Sequence, residues 1–241
     1  MSGTDCAGVN NEGKKAVSPA RAEGRFLDLN GGRFYCIANN DALPPFFMSI
    51  VSASDHYLFL SSRGGLTAGR VDADHALFPY YTDDRIHDGS EDTGSKTIFR
   101  VQTDKGVVLW EPFSIRSPKN RDGEGSGIIR NLYKSVYGNR VVFEEVNNNL
   151  GLCFSYEWAT SEQYGFVRTA RLKNLLPGPQ SAEALDGLQN LLPSGVTKRF
   201  QLEFSTLVDA YKATELEPAS GLAMLQLTSV DRKSTRLNSS H

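Results

Sequence analysis

The sequence is poor in cysteine, nearly balanced in charge and free of long apolar runs. Its three cysteines, Cys6, Cys36 and Cys153, are odd in number and widely spaced, with no Cys-x-x-Cys among them. Neither a disulfide framework nor a zinc site is indicated. No stretch approaches the ~18 apolar residues of a membrane-spanning helix. The first residues, MSGTDCAGVNNEGKKAVSPARAEG, lack the apolar segment of a secretory signal, so the cytoplasm is the expected location. The balance of 26 basic against 28 acidic residues gives a net charge of −2. Together with the lack of a Lys/Arg stripe interleaved with aromatics, this argues against a nucleic-acid partner. The common catalytic templates are missing too: there is no Gly-x-Ser-x-Gly, no His-Glu-x-x-His and no P-loop.

What is present suits a turn-rich β protein. Hydrophobic residues make up 39% of the chain, with 22 glycines and 9 tyrosines, enough for a packed core. Residues 1–24 are small and polar and are expected to form a disordered leader. From Arg25, RFLDL and RFYCIA flank Asn30-Gly31-Gly32, a hairpin signal because Asn and Gly tolerate the positive φ of tight turns. FFMSIVSAS has apolar residues on both faces and is expected in the middle of a sheet. SKTIFRVQT and VVLWEP pair around Asp104-Lys105-Gly106. IIRNLYKSV, NRVVFEEVN, GLCFSYEWA and GFVRTARLKN follow as strands. In GLCFSYEWA, Leu152, Phe154, Tyr156 and Trp158 share one face, while Glu144 of the neighbouring strand marks an outer, wet face. SAEALDGLQNLLPSGV is expected to be a last strand leaving the sandwich. Phe200, Phe204, Leu207, Val208 and Tyr211 recur at helical spacing and predict one late amphipathic helix, ending at Pro218. GLAMLQLTSV then returns to a strand. About a dozen short strands with one helix predict an all-β fold, a large antiparallel sandwich over residues 25–230.

One stretch concentrates polar groups beside aromatic surface: YLFLSSRGGLTAGRVDADHALFPYYTDDRIHD, Tyr57 to Asp88. It reads as a strand, the Gly64-Gly65 turn, a loop to about His75 and a second extended piece, LFPYYTDDRI. Arg63, Asp83, Asp84 and Arg85 with Tyr80 and Tyr81 are the candidate binding residues, since sugars are held by aromatic faces and planar, bidentate polar groups. The competing reading packs Tyr80 and Tyr81 between layers, with the charges capping loop ends, because aromatics fill cores as well as sites. The acidic run Asp83, Asp84, His87, Asp88, Glu91 and Asp92 lacks the spacing of a calcium loop and reads as a solvated connector, so no metal is expected. His56 and His75 have no nucleophile assigned to them. Glu144, Glu145 and Glu157 are carboxylates of the kind glycosidases use in pairs ~5–9.5 Å apart, but glutamates on the outer face of a sheet are commonplace. No catalytic residue is assigned.

In sequence, SSRGGLTAGRVDADHALFPYYTDDRIHD, LWEPFS, YGNRVVFEEVNNNLGLCFSYEWA, GFVRTARLKNL and LDGLQNLLPSGV resemble the N-terminal domain of cellobiose- and chitobiose-phosphorylase-like enzymes. The resemblance covers roughly residues 25–230 and lies in the order of elements. It implies a galactose-mutarotase-like super-β-sandwich, followed in such enzymes by a helical linker and an (α/α)6 barrel. The barrel carries the general-acid Asp, and inorganic phosphate attacks the anomeric carbon with inversion. The expected partners are thus a carbohydrate, the barrel of the same chain and a second copy in a homodimer. No cofactor beyond phosphate as co-substrate is implied. The tail DRKSTRLNSSH, residues 231–241, resembles a peptide found at the ends of proteins translated from assembled sequencing data and is expected to be an artefact. A free-standing carbohydrate-binding module and an oligomerisation sandwich are the alternatives.

Overall fold

The structure is a computed structural model and describes residues 21–79, 82–115 and 127–228. In chain order its strands are β1 (Glu23–Leu29), β2 (Gly32–Ala38), β3 (Phe47–Ile50), β4 (His56–Ser61), β5 (Leu66–Arg70), β6 (Gly94–Thr103), β7 (Gly106–Trp110), β8 (Ile128–Ser135), β9 (Arg140–Asn147), β10 (Leu152–Ser161), β11 (Gly165–Asn174), β12 (Ala182–Gln189), β13 (Lys212–Glu217) and β14 (Leu222–Leu227). The helices are α1 (Asp83–Asp88) and α2 (Lys198–Tyr211).

The fold is an all-β antiparallel sandwich. A six-stranded sheet in the order β1-β2-β8-β9-β10-β11 forms one layer. Two three-stranded sheets, β3-β4-β5 and β12-β6-β7, pack against it. The alternation in β10 turns Leu152, Phe154, Tyr156 and Trp158 inward, each 2–3% exposed. They meet Leu58, Leu60 and Leu66 from one facing sheet and Phe99, Val101 and Trp110 from the other. Tyr156 stacks on Phe143 with ring centroids 4.9 Å apart. Full burial of each such side chain contributes about 1.5–3 kcal/mol relative to leaving it in water, so this face is the main source of cohesion. The β1–β2 hairpin turns at Asn30 and Gly31 with φ of 49° and 76°, the left-handed pair that a two-residue turn of this type requires. The β6–β7 hairpin closes at Gly106 as its sequence indicates.

In the sheets and at α2 the structure departs from the sequence reading at five places. Glu23 and Gly24, expected within a disordered leader, already pair with Ala38 and Ile37. Strand β3 is an edge strand, not a central one, and Phe47 and Val51 are 47% and 54% exposed. Its second apolar face therefore meets an open groove instead of a neighbouring layer. The expected loop after Gly64-Gly65 is strand β5, because these glycines close a tight hairpin in which Ser61 N–H donates to the Gly65 carbonyl at 2.7 Å. The strand expected to leave the sandwich stays in it as β12, paired with β6 from Ala182 to Gln189. Helix α2 stops at Tyr211, well before Pro218. Lys212 turns extended, and Pro218 lies in the turn of the β13–β14 hairpin instead. The tail expected to be an artefact, residues 231–241, lies outside the described residues.

Candidate functional site

Arg63 follows β4, in the turn that leads to β5. Its guanidinium bonds to the Asp41 carboxylate and donates from Nη2 to the carbonyls of Asp41 and Leu43 at 3.3 and 3.1 Å. Arg130 of β8 reaches the same carboxylate at 3.1 Å, donates from Nε to Glu145 Oε2 at 2.7 Å and caps the Ser114 carbonyl at 2.9 Å. Glu145 also accepts from Trp110 Nε1 at 2.8 Å and from the Phe113 N–H at 2.6 Å. The cluster forms because Arg130 and Glu145 are register partners across β8 and β9, so both point inward. Two cations and two anions cancel, and the fork of each arginine satisfies the lone pairs around it. The crevice lined by Asn40, Asp41, Arg63, Phe113 and Arg130 holds only about 10 Å³, roughly the room of one water. A sugar ring does not fit there, and Arg63 ties the loop around Asp41 to the sandwich.

The other candidates stand elsewhere. The expected extended piece around Asp83–Arg85 is helix α1 instead. Thr82 precedes it in extended conformation, and Asp83 and Asp84 fall in its first turn, where negative charge suits the exposed N–H groups. Asp83, Asp84 and Arg85 are all exposed. The Asp84 carboxyl is held below the usual carboxylate range, first by the Thr82 hydroxyl and then by the Arg85 N–H. Among the described residues, no hydrogen bond or ion pair joins Arg63 to Asp83, Asp84 or Arg85. Tyr80 and Tyr81 lie outside the described residues.

Helix α1 is tied to the β4–β5 turn by a contact that the sequence did not announce. His87 Nδ1 lies 2.9 Å from Ser61 Oγ, and His87 Nε2 lies 3.6 Å from Asp83. The order Ser–His–Asp is that of a nucleophile and its base. Ser61, however, has no solvent exposure, and its oxygen accepts the Arg63 N–H at 3.1 Å. No substrate reaches it, so the set is structural. His56 and His75 bond to Ser54 Oγ and Asp72 Oδ1 at 2.8 and 2.7 Å.

The glutamates expected on a wet outer face are buried: Glu144 is 3% exposed and Glu145 not at all. As adjacent strand residues they point to opposite faces, so they do not flank one sugar. Glu144 accepts from Asn131 and Tyr133 at 2.8 and 2.7 Å, and Glu157 is held bidentately by Arg140 at 2.6 and 3.0 Å. Glu91 of the acidic run bonds to Lys96 and to the Ile115 N–H. Burial pushes its carboxyl up, but those partners outweigh it and the net shift is downward. Among the described residues no group of three or more His, Cys, Asp or Glu is placed to hold a metal ion, and no helix is long and apolar enough to cross a membrane.

Asp41, which binds Arg63, and Arg130, which shares that carboxylate, escaped sequence reasoning because they lie 22 and 67 positions away from Arg63 along the chain. The only available signal was the Arg/Glu pair on adjacent predicted strands. No family model matches the chain, and neither does any curated protein.

Proposed function

We propose that this chain is the non-catalytic β-sandwich domain of a cytoplasmic carbohydrate-processing enzyme of the glycoside phosphorylase type, with the chemistry of inverting phosphorolysis carried by a second domain of the same protein. The observation that carries the reading is the state of the carboxylates in the sandwich. Glu144, Glu145 and Glu157 are each engaged by hydrogen bonds or an arginine, so none of these three is free to pair with another across a glycosidic bond. The order of sequence elements supports the same reading.

The end of the described chain fits this role. Helix α2 starts from Thr197, whose side chain accepts the Phe200 N–H at 3.1 Å, while Lys198 N–H donates to Asp74 at 2.8 Å. Val208 anchors the helix on Ala76, Leu192 and Val196. Leu202, Leu207 and Tyr211 remain 73%, 43% and 46% exposed. A helix anchored at Val208, kinked at Phe204 and still carrying exposed large apolar side chains suits a segment between a sandwich and a domain packed beside it.

The DNA following codon 230 in an independent assembly tests this. Several hundred further codons encoding paired amphipathic helices support it, and a natural stop codon there overturns it. The exposure of Asp83, Asp84 and Arg85 favours a second reading, a carbohydrate-binding module using α1. That reading expects saturable disaccharide binding lost in Arg85→Ala, and flat titrations across a sugar panel refute it.

A further inference from the structure

The inner face of the six-stranded sheet extends beyond the layer that covers it. Strand β3 is four residues long and, among the described residues, pairs with no strand on its outer side. The registers Phe26↔Tyr35 and Tyr35↔Lys134 put these three side chains on one face, the face that Leu132 shares by strand alternation and by which it enters the core. There they border an open groove of about 430 Å³, walled on the other side by Phe46, Phe47 and Met48. That volume lies in the ~300–1,000 Å³ range of small-molecule sites. The aromatic bed is ordered: Phe26 meets Tyr35 edge-on at 5.1 Å, and the Arg33 guanidinium lies 5.4 Å from the Phe26 ring centre.

Among the described residues the groove has one charged side chain in its lining, Lys134. Lys134 is half-buried, and its ammonium makes no hydrogen bond or ion pair among the described residues. The other polar groups are few and partly spent. Ser135 Oγ donates to Asn139 and accepts the Arg140 N–H. A sugar would leave most of its hydroxyls without partners, which opposes binding. An apolar body with one anionic end matches both the bed and the ammonium. Burial pushes the Lys134 pKa down, as expected for a cation without a counter-charge.

We propose that this groove binds a small amphipathic carboxylate, an alkyl or aryl acid whose apolar body lies on Phe26, Tyr35, Phe46 and Phe47 and whose carboxylate pairs with Lys134. The inference does not depend on the carbohydrate reading, because it concerns a different face and a different ligand chemistry.

Calorimetric titration of the full chain with laurate below its micelle concentration, and separately with 2-naphthoate, tests it. Saturable one-site binding of at least one acid is expected, and which acid binds more tightly distinguishes an alkyl from an aryl ligand. Lys134→Met should weaken that acid at least tenfold and leave dodecanol unaffected, while Lys134→Arg should retain it. Phe47→Glu alters an exposed side chain and puts a negative charge in the groove, so it should abolish binding with the melting temperature unchanged. Absence of saturable binding by both acids, equal binding of dodecyltrimethylammonium, or unaltered acid binding in either Lys134→Met or Phe47→Glu overturns the proposal.

Discussion

Arg130 donates from Nε to Glu145 Oε2 at 2.7 Å, between side chains that are 8% and 0% exposed. The pair joins the six-stranded sheet to the opposite layer, since Glu145 also holds the Trp110 indole at the end of β7 and Arg130 also holds Asp41.

Glu145→Gln is therefore expected to destabilise strongly. It leaves the Arg130 cation buried with Asp41 alone, and removing one partner of a buried pair costs about 3–5 kcal/mol. Urea unfolding followed by Trp fluorescence measures this. The double substitution Arg130→Met with Glu145→Gln should cost less than the sum of the two single changes, because it removes the stranded charge. Additive losses would show that the two residues act independently.

Gly65 permits the approach of helix α1 to the β4–β5 turn. A Cβ built there lies 2.1 Å from the Ile86 carbonyl oxygen and 3.1 Å from the Ser90 nitrogen, both backbone atoms. Gly65→Ala must push the helix away and break the Ser61–His87 contact, with an expected loss of about 1–3 kcal/mol. Gly106→Ala makes a useful contrast. Nothing lies within 4 Å of its Cβ position, so its cost reflects only the φ of 112° at that turn. Equal stability of Gly65→Ala and the parent protein in chemical denaturation would refute the packing argument.

These two sites also show what was legible in the sequence. Period-two alternation found the inward face of β10, and Asn-Gly and Asp-Lys-Gly found two hairpins, since both signals are local. The pairing of Arg130 with Glu145 depends on register between strands, which the residues around each do not reveal. Glu144 looked exposed because it is charged, yet Asn131 and Tyr133 bury it with hydrogen bonds. Arg63 was read as a candidate binding residue, but its bond to Asp41, 22 positions earlier, depends on tertiary packing that the residues around it do not reveal. The helical start at Asp83 was hidden by the aromatic and Pro content just before it, which reads as extended chain. The groove at Lys134 opens where β1 and β2, seven residues each, face the four-residue edge strand β3, a juxtaposition of layers that no local pattern reveals.

Acid sensitivity is expected from Asp186. Its carboxylate receives both Arg168 terminal nitrogens at 2.8 and 2.7 Å and the Thr97 hydroxyl at 2.6 Å. The Arg168 hydrogen bonds lower its pKa most; burial acts against them, and Thr97 adds to them. A carboxyl whose folded pKa lies below its unfolded value contributes stability that is fully present above the ordinary aspartate pKa of about 3.9. That contribution declines as pH falls through the folded pKa and is gone below both values. Asp186→Asn should lower the melting temperature at pH 7, and the difference should shrink as pH falls below the ordinary aspartate range, so that the two curves converge in acid. Parallel curves would rule out a role for this carboxylate in acid unfolding.

The two sides of α2 should respond oppositely to substitution. Val208 is 3% exposed against Ala76, Leu192 and Val196, so Val208→Ala should cost roughly 0.5–3 kcal/mol. Leu202 is 73% exposed on the same helix, and Leu222 is 67% exposed on the hairpin that follows. Leu202→Glu and Leu222→Glu remove no buried contact and should leave the melting temperature within error. If the apolar side of this unit is a packing surface, the parent chain should associate as its concentration rises, and the double glutamate variant should elute as a monomer on sizing. A parent chain that stays monomeric at every concentration tested would argue that these residues serve no contact. A variant that associates as strongly as the parent would move the contact elsewhere, with the exposed edge strand β7 and its Val107 and Leu109 the next surface to alter.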